Sequence, residues 1–210
     1  MMGFVLRVFS LVISIFCFSA TLVSAQKTFV EPGSKKSFPA EVSFSFDGTD
    51  YTLIATGASE LKRTREDKSQ SLFTLAHYIQ TPPTGSALTI YDAILKSNSA
   101  KQVTMSFNDD IEAEKFGRIF ARWFQRVGTT AELQKVKKSY DTLIEAISGA
   151  IKENDQYTFR WLSPGKLIVA VPGKPVKVIN DAAFAQLFWK VWLGELSPLK
   201  RVDLVRLITS

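Results

Sequence analysis

Cysteine and histidine are almost absent from this 210-residue chain, which contains one of each, Cys17 and His77. A transition-metal site built from imidazole and thiolate ligands needs several such side chains, so we predict no metal site and no cofactor. A serine or cysteine triad is also excluded, because the only candidate base has no recognisable partner. Without a cysteine pair there is no disulfide, so the hydrophobic core has to stabilise the fold.

The sequence also lacks a glycine-rich phosphate loop and any long block of one charge. Its 26 basic and 20 acidic residues give a formal net charge of +6, and the two signs are mixed, as they are between Lys62 and Lys68. A nucleic-acid-binding face needs clustered basic residues, so we predict no nucleic-acid partner. The slight positive balance is compatible with anionic small molecules or lipid headgroups.

The first 25 residues are typical of an export signal. Arg7 is followed by an apolar run from Val8 to Val23 and then by the small residues Ser24 and Ala25. The run is shorter than the roughly 20 residues that span a membrane, and the small residues fit cleavage after Ala25. We therefore predict a signal peptide (1–25) and no membrane span in the mature chain; an uncleaved anchor is the alternative. An exported chain without disulfides fits a periplasmic location.

The remainder is predicted to be an extended segment (26–39) followed by one domain (40–210). Apolar and polar residues alternate from Val42 to Phe46, and Asp47-Gly48 is typical of a hairpin turn. Similar patterns predict further strands at 51–56, 71–79, 103–107, 157–161, 167–171 and 176–179. The charged stretch 60–68 is expected to form a bend or ribbon.

Helical spacing of apolar residues predicts the other elements. Ser86 is a plausible N-cap for a helix over 87–95, and Gly128 is expected to end a helix over 116–127. A second stripe runs from Leu133 to Ile147. Asn180 or Asp181 is expected to cap a helix that ends at Gly194, and Ser197-Pro198 to begin the last helix. Groups of strands alternating with groups of helices indicate an α+β fold, an antiparallel sheet with helices on one face.

Taken in order, several of these segments resemble the chalcone isomerase-like family, especially its exported bacterial members. They are the Gly57-Ala58 corner, the strand that ends at Tyr78, Val103-Thr104-Met105 before an aromatic helix, and the helix from Phe184 to Gly194. The resemblance covers most of residues 40–208. It implies an open-faced β-sandwich, in which a large antiparallel sheet is covered by helices and a ligand cleft lies between them.

Most reactive groups of the family's enzymes do not carry over. The catalytic arginine aligns with Leu61 without a gap, with Lys62 after one inserted residue and with Arg63 after two. The polar residue five before the strand-ending tyrosine becomes Phe73, although Thr74 is adjacent. Residues 109–127 contain neither the tyrosine nor the asparagine of the enzymes, and Val191 replaces a serine or threonine.

We therefore expect an exported, non-catalytic protein that binds a small apolar or amphipathic ligand, such as a fatty acid, between sheet and helices. The candidate ligand-binding residues are Lys62, Arg63, Thr74 and Tyr78. One alternative is an isomerase or lyase for a chalcone- or enone-like substrate, with Lys62 or Arg63 holding the developing anion. Another is an envelope protein-interaction module with Trp189 as an exposed anchor.

Simpler structural roles are open for several of these residues. Lys62 and Arg63 suit an exposed ribbon of mixed charge equally well, and Tyr78 suits a core position. His77 is expected to be a packed, hydrogen-bonded imidazole. The acidic residues between Asp109 and Glu114 are expected at the start of a helix, where carboxylates complement its dipole, rather than in a cation site.

Overall fold

The computed structural model describes residues 27–65 and 68–209. The predicted signal peptide lies outside these residues. The described strands are β1 (Thr28–Val30), β2 (Ser37–Pro39), β3 (Glu41–Phe46), β4 (Thr49–Arg65), β5 (Lys68–Ile79), β6 (Lys101–Phe107), β7 (Gln156–Leu162), β8 (Lys166–Ala170) and β9 (Lys177–Asn180). The described helices are α1 (Ala87–Lys96), α2 (Ala113–Val127), α3 (Thr130–Lys135), α4 (Lys137–Ile147), α5 (Ala182–Leu193) and α6 (Arg201–Val205). Among them, none combines the length and the apolar character of a membrane-crossing helix.

One antiparallel sheet of seven strands, in the order β3 to β9, organises the domain. Its longest pairing is the β4–β5 ribbon, which extends from Ile54↔Ile79 to Arg65↔Lys68 and includes the charged stretch that was predicted to form a bend or ribbon. β1 and β2 pair with each other, so the expected extended segment contains a small two-stranded sheet.

Each face of the sheet has its own apolar cluster. Val103, Met105 and Phe107 of β6 belong to the larger cluster, together with the buried residues of the helices. The smaller cluster contains Tyr78 and Phe38 and has no helical residue among its described members. Because side chains alternate along a strand, the sheet has a helix face and an opposite face, which the β1–β2 segment partly covers. The α+β fold predicted from the sequence is confirmed.

Helix α5 begins and ends where its sequence predicts. The Asp181 carboxylate accepts the Phe184 backbone N–H at 3.0 Å, which satisfies one of the free donors of the first turn. The Gly194 N–H closes the other end on the Lys190 carbonyl. Eight residues of this helix are buried, so it lies in the middle of the helix layer.

Two helix predictions need correction. The stripe from Leu133 to Ile147 is broken at Val136, whose ψ of 9° leaves helical geometry and separates α3 from α4. The last helix begins at Arg201 rather than at Ser197, because the Ser197 hydroxyl accepts the Leu199 N–H in a preceding turn. The acidic residues do lie at the start of α2, with Glu112 at its N-cap and Glu114 in its first turn.

A chain of hydrogen bonds through the core joins four elements. The Trp189 indole N–H of α5 donates to His77 Nε2 on β5 at 3.3 Å. His77 Nδ1 therefore carries the proton of the neutral ring, and it donates to the Thr56 hydroxyl on β4 at 2.7 Å. Thr56 in turn donates to the Leu204 carbonyl of α6 at 2.6 Å. The prediction of a packed, hydrogen-bonded His77 is confirmed.

The same chain of bonds corrects the hypothesis that Trp189 is an exposed anchor. Its side chain is 1% exposed, and it packs on Phe188 within the core. Trp189 lies outside the apolar stripe that the sequence predicts for α5. It is nevertheless buried, because the rest of the protein surrounds α5 on more sides than that stripe covers. The interaction-module hypothesis thereby loses the residue on which it depended.

Glycine at position 57 allows the C-terminal helix to touch the sheet. A Cβ built on Gly57 would collide with the Asp203 carbonyl oxygen and lie 2.8 Å from the Leu204 carbonyl carbon. The register of β4 against β5 shifts between Ala55 and Gly57, and the Thr56 carbonyl is free to accept the Leu207 N–H. The glycine of the family-like corner is thus explained by close backbone contact.

Replacing this glycine tests the contact. We expect Gly57→Ala to lower the free energy of unfolding by about 3 kcal/mol, since the backbone of α6 leaves no room for a methyl group. Gly117→Ala is the matched control: it lies within α2 with open space around its Cβ, so it should raise stability by about 0.5–1 kcal/mol. Urea unfolding measures both, and equal effects would contradict the assigned contact.

The buried histidine predicts acid sensitivity. Burial, assisted by the positive charge of Lys101, lowers the pKa of His77 from 6.5 to about 3. Between these two pKa values, His77 is protonated in the unfolded chain but neutral in the folded chain. The free energy of unfolding therefore falls as the pH drops. From pH 7 to pH 5, the titration of His77 lowers the free energy of unfolding by about 2 kcal/mol.

Denaturant unfolding at both pH values checks this prediction. His77→Gln should be less stable at pH 7 but should lose about 2 kcal/mol less than the wild type on acidification to pH 5. The carboxylates titrate equally in both proteins, so the difference isolates the imidazole. Identical losses would show that His77 is protonated in the folded state.

Candidate functional site

In the ungapped alignment, two positions of the enzymes' reactive set face each other across the β4–β5 ribbon. Leu61 pairs with Phe73 in the register of the two strands. Phe73 is 1% exposed, and both side chains belong to the cluster that packs beneath the helices. In that alignment, the catalytic arginine and a polar residue are replaced by an aliphatic and an aromatic side chain on the helix face.

Aromatic rings fill the layer above this pair. Phe73 makes edge contacts with Trp123 of α2 and Trp192 of α5, at ring distances of 5.8 and 6.5 Å. Phe120 contacts both tryptophans as well. Such a lining is mostly hydrocarbon and suits an apolar ligand.

Buried polar atoms without a partner occur on the helix face of the described chain, among them the Trp192 indole nitrogen and, by strand alternation, Ser59 Oγ. The indole nitrogen of Trp192 is buried and makes no hydrogen bond to the part of the chain that the structure describes. A buried donor without a partner is costly, and indole can only donate. The Trp192 N–H is thus an available donor for an oxygen brought by a ligand. The sequence placed Trp192 on the buried stripe of its helix, but gave no sign that its N–H lacks a partner.

The two candidate cations lie on opposite faces of β4. Lys62 forms an ion pair with Glu60 at 3.0 Å, and Glu60 is the cross-strand neighbour of Thr74. Since side chains alternate along a strand, Arg63 shares the helix face with Leu61. Arg63 is exposed, two residues beyond the apolar layer.

Thr74 belongs to a polar network on the opposite face. Its hydroxyl donates to Ser34 Oγ at 2.7 Å and accepts from the Asn108 amide at 3.1 Å. Ser34 also donates to the buried Glu31 carboxylate at 2.8 Å. Burial alone raises the pKa of Glu31, but hydrogen bonds from Ser34 and Gly33 outweigh it and lower the pKa. This network fastens the N-terminal segment to the sheet.

Tyr78 lies four residues beyond Thr74 on β5, within the smaller apolar cluster. The ring is fully buried, and its hydroxyl has no hydrogen-bond partner in the described part of the protein. Burial raises the pKa of Tyr78 well above its usual range. The hydroxyl therefore stays protonated, on the face away from the helices.

The structure thus places Lys62, paired with Glu60, on the same face as Thr74, and it places Arg63 on the helix side. Five recesses of about 210 to 550 Å³ in the described chain lie away from Lys62, Arg63, Thr74 and Tyr78. The four residues remain predicted, not demonstrated, ligand contacts. A cleft beside the basic corner also remains a prediction.

Comparisons with known proteins agree with this architecture. The family model described as chalcone isomerase-like matches residues 41–201. Among solved structures, the crystal structure of a fatty-acid binding protein of Arabidopsis thaliana is similar, with a TM-score of 0.66 and 14% sequence identity; the match covers 85% of this chain and 96% of that one. No curated protein matches. Because the family model spans most of the domain, and the sheet and helices have the expected arrangement, this protein belongs to the chalcone isomerase-like family.

Proposed function

We propose that this protein is a non-catalytic member of its family that binds an amphipathic ligand, such as a long-chain fatty acid, between the sheet and the helices. The observation that carries the proposal is the pairing of Leu61 with Phe73 on the helix face. The reaction of the enzymes needs charged and polar groups where these side chains lie. Hydrocarbon at the same place favours binding of an acyl chain instead.

The helix-side layer offers the contacts that such a ligand uses. An acyl chain entering between Phe73, Trp123 and Trp192 replaces ring–ring contacts with ring–methylene contacts, and it stays out of water. The unpaired Trp192 N–H can donate to an oxygen of the ligand. Since rings occupy this space in the free protein, binding requires side chains to move, and we expect slow association.

Arg63 is the better of the two candidate headgroup cations. It lies on the helix face and is exposed, whereas the Lys62 ammonium already pairs with Glu60 on the other face. A guanidinium binds a carboxylate through two parallel hydrogen bonds. The similar Arabidopsis structure, which is that of a fatty-acid binding protein, supports this ligand class through its fold.

Arg63 also keeps the enzymatic alternative testable. With two inserted residues Arg63 aligns with the catalytic arginine, so an isomerase or lyase for a chalcone- or enone-like substrate would depend on it. Cyclisation of a chalcone at the rate in buffer alone would exclude this activity.

We also propose that the mature protein acts in the periplasm after removal of residues 1–25. The apolar run and the small residues before Gln26 support this location. The N-terminal sequence of the protein purified from the envelope is the direct measurement. A chain that retains Met1 would contradict it.

Fatty-acid binding is tested with a matched pair of variants. The wild type should carry or take up palmitate in native mass spectra and should gain thermal stability from it. Arg63→Ala should weaken palmitate binding about 3- to 10-fold, the effect of losing a charge-assisted hydrogen bond at an exposed site. Lys62→Ala, the neighbouring cation on the opposite face, should bind as the wild type does.

Two results would contradict the proposal. One is a wild-type protein that carries no lipid and gains no stability from added palmitate. The other is equal weakening by Arg63→Ala and Lys62→Ala, which would indicate general attraction by surface charge and not a headgroup site on the helix face.

A further inference from the structure

Lys101 is a buried cation at the end of the sheet remote from Arg63. It begins β6, pairs across the strands with Trp161 and is 3% exposed. Its ammonium lies 4.4 Å from the centre of the Trp161 ring and 6.0 Å from that of Trp189. A lysine so buried is rare unless an anion accompanies it.

No carboxylate of the described chain pairs with this ammonium. Lys101 Nζ donates to the carbonyls of Ile94 and Ser97, at 2.7 and 2.9 Å, where helix α1 ends. The partial negative charge of a helix C-terminus stabilises a cation only in part. An ammonium has three N–H donors, so one remains after these two bonds. The Trp161 ring, 4.4 Å away, stabilises the charge further, and the remaining N–H can donate to an anion.

A recess of about 210 Å³ opens at this ammonium, between the sheet and helices α1 and α5. Its floor consists of Lys101, Trp161, Trp189 and Ala185, all buried. Its rim consists of exposed side chains of both helices and the following loop, Lys96, Asn98, Ala182 and Gln186. The recess thus connects the buried charge to solvent.

We infer that this recess is a binding site for a small organic carboxylate, whose oxygens accept the remaining N–H of Lys101 while its carbon chain lies against the two tryptophan rings. One positive charge matches one carboxylate. The apolar floor favours an organic anion over inorganic phosphate, which brings up to two charges and no hydrocarbon. The volume is suitable for an acid of two to four carbon atoms.

Among the ionisable groups around the recess, Lys101 is the one whose protonation we expect to change when a carboxylate binds. Lys96 on α1 is exposed and pairs with Asp92 at 3.2 Å. His77 on β5 is neutral, because burial and the Lys101 charge lower its pKa to about 3. Burial lowers the pKa of Lys101 itself to about 8. A bound carboxylate should restore the charged ammonium, so binding near pH 8.5 should take up protons from solution.

Calorimetric titration with sodium propionate tests the inference, in buffers of different ionisation enthalpy and at constant ionic strength. We expect net proton uptake at pH 8.5 and affinity about 30-fold weaker at pH 9.5 than at pH 6.5, as the ammonium loses its proton. Sodium phosphate and sodium chloride serve as comparison anions and should bind at least about tenfold more weakly.

Two variants separate this site from general charge effects. Lys101→Met keeps the length of the side chain and should abolish propionate binding, whereas Lys96→Met, at the rim of the same recess, should bind as the wild type does. If Lys101→Met does not fold, the proton uptake of the wild type on propionate binding tests the inference instead. Absent uptake, equal binding of all three anions, or unchanged binding by Lys101→Met would overturn the inference and leave Lys101 as a cap of helix α1.

Discussion

The hydrogen-bond chain from Trp189 through His77 and Thr56 to the Leu204 carbonyl holds the two ends of the fold together. It passes through a fully buried imidazole, so each member has to be satisfied by the next. A protonated ring would put a second N–H against the indole N–H, and the chain would break at its centre. The neutral state of His77 is therefore a condition of the packing of α5 and α6 on the sheet, and the contact of Gly57 with the backbone of α6 makes that packing possible.

Polar and apolar groups are divided across the sheet in a way that decides its chemistry. On the helix face, Leu61, Phe73 and the tryptophans of α2 and α5 form a layer that contains the unpaired Trp192 N–H. On the opposite face, Thr74, Ser34 and Glu31 are joined in a network that fixes the N-terminal segment. The polar side chains near the basic corner are thus largely engaged in structure, as the proposed hydrocarbon-binding role requires.

The sequence predicted the fold well because its signals are local. Alternation gave the strands, and Asp181 and Gly194 gave the bounds of α5, since each acts within one turn of chain. The site was harder, because the face on which a residue lies depends on pairing. Register shifts near Ala55 and between Leu61 and Lys62 occur just where the basic residues follow, so spacing alone did not separate Lys62 from Arg63. Trp189 was wrongly expected to be exposed for a related reason. The apolar spacing within α5 does not show which other elements pack around that helix.

The two cations of the helix face are too far apart to serve one ligand. Arg63 pairs with Gln70 and Lys101 with Ile79, and these partners are nine positions apart on β5. At about 3.3 Å per residue the separation is roughly 30 Å along the strand, which exceeds the length of an ordinary extended fatty acid. The interior between them is occupied by rings. Binding of a headgroup at Arg63 and binding of an anion at Lys101 are therefore independent, and a mutation can remove one site without removing the other.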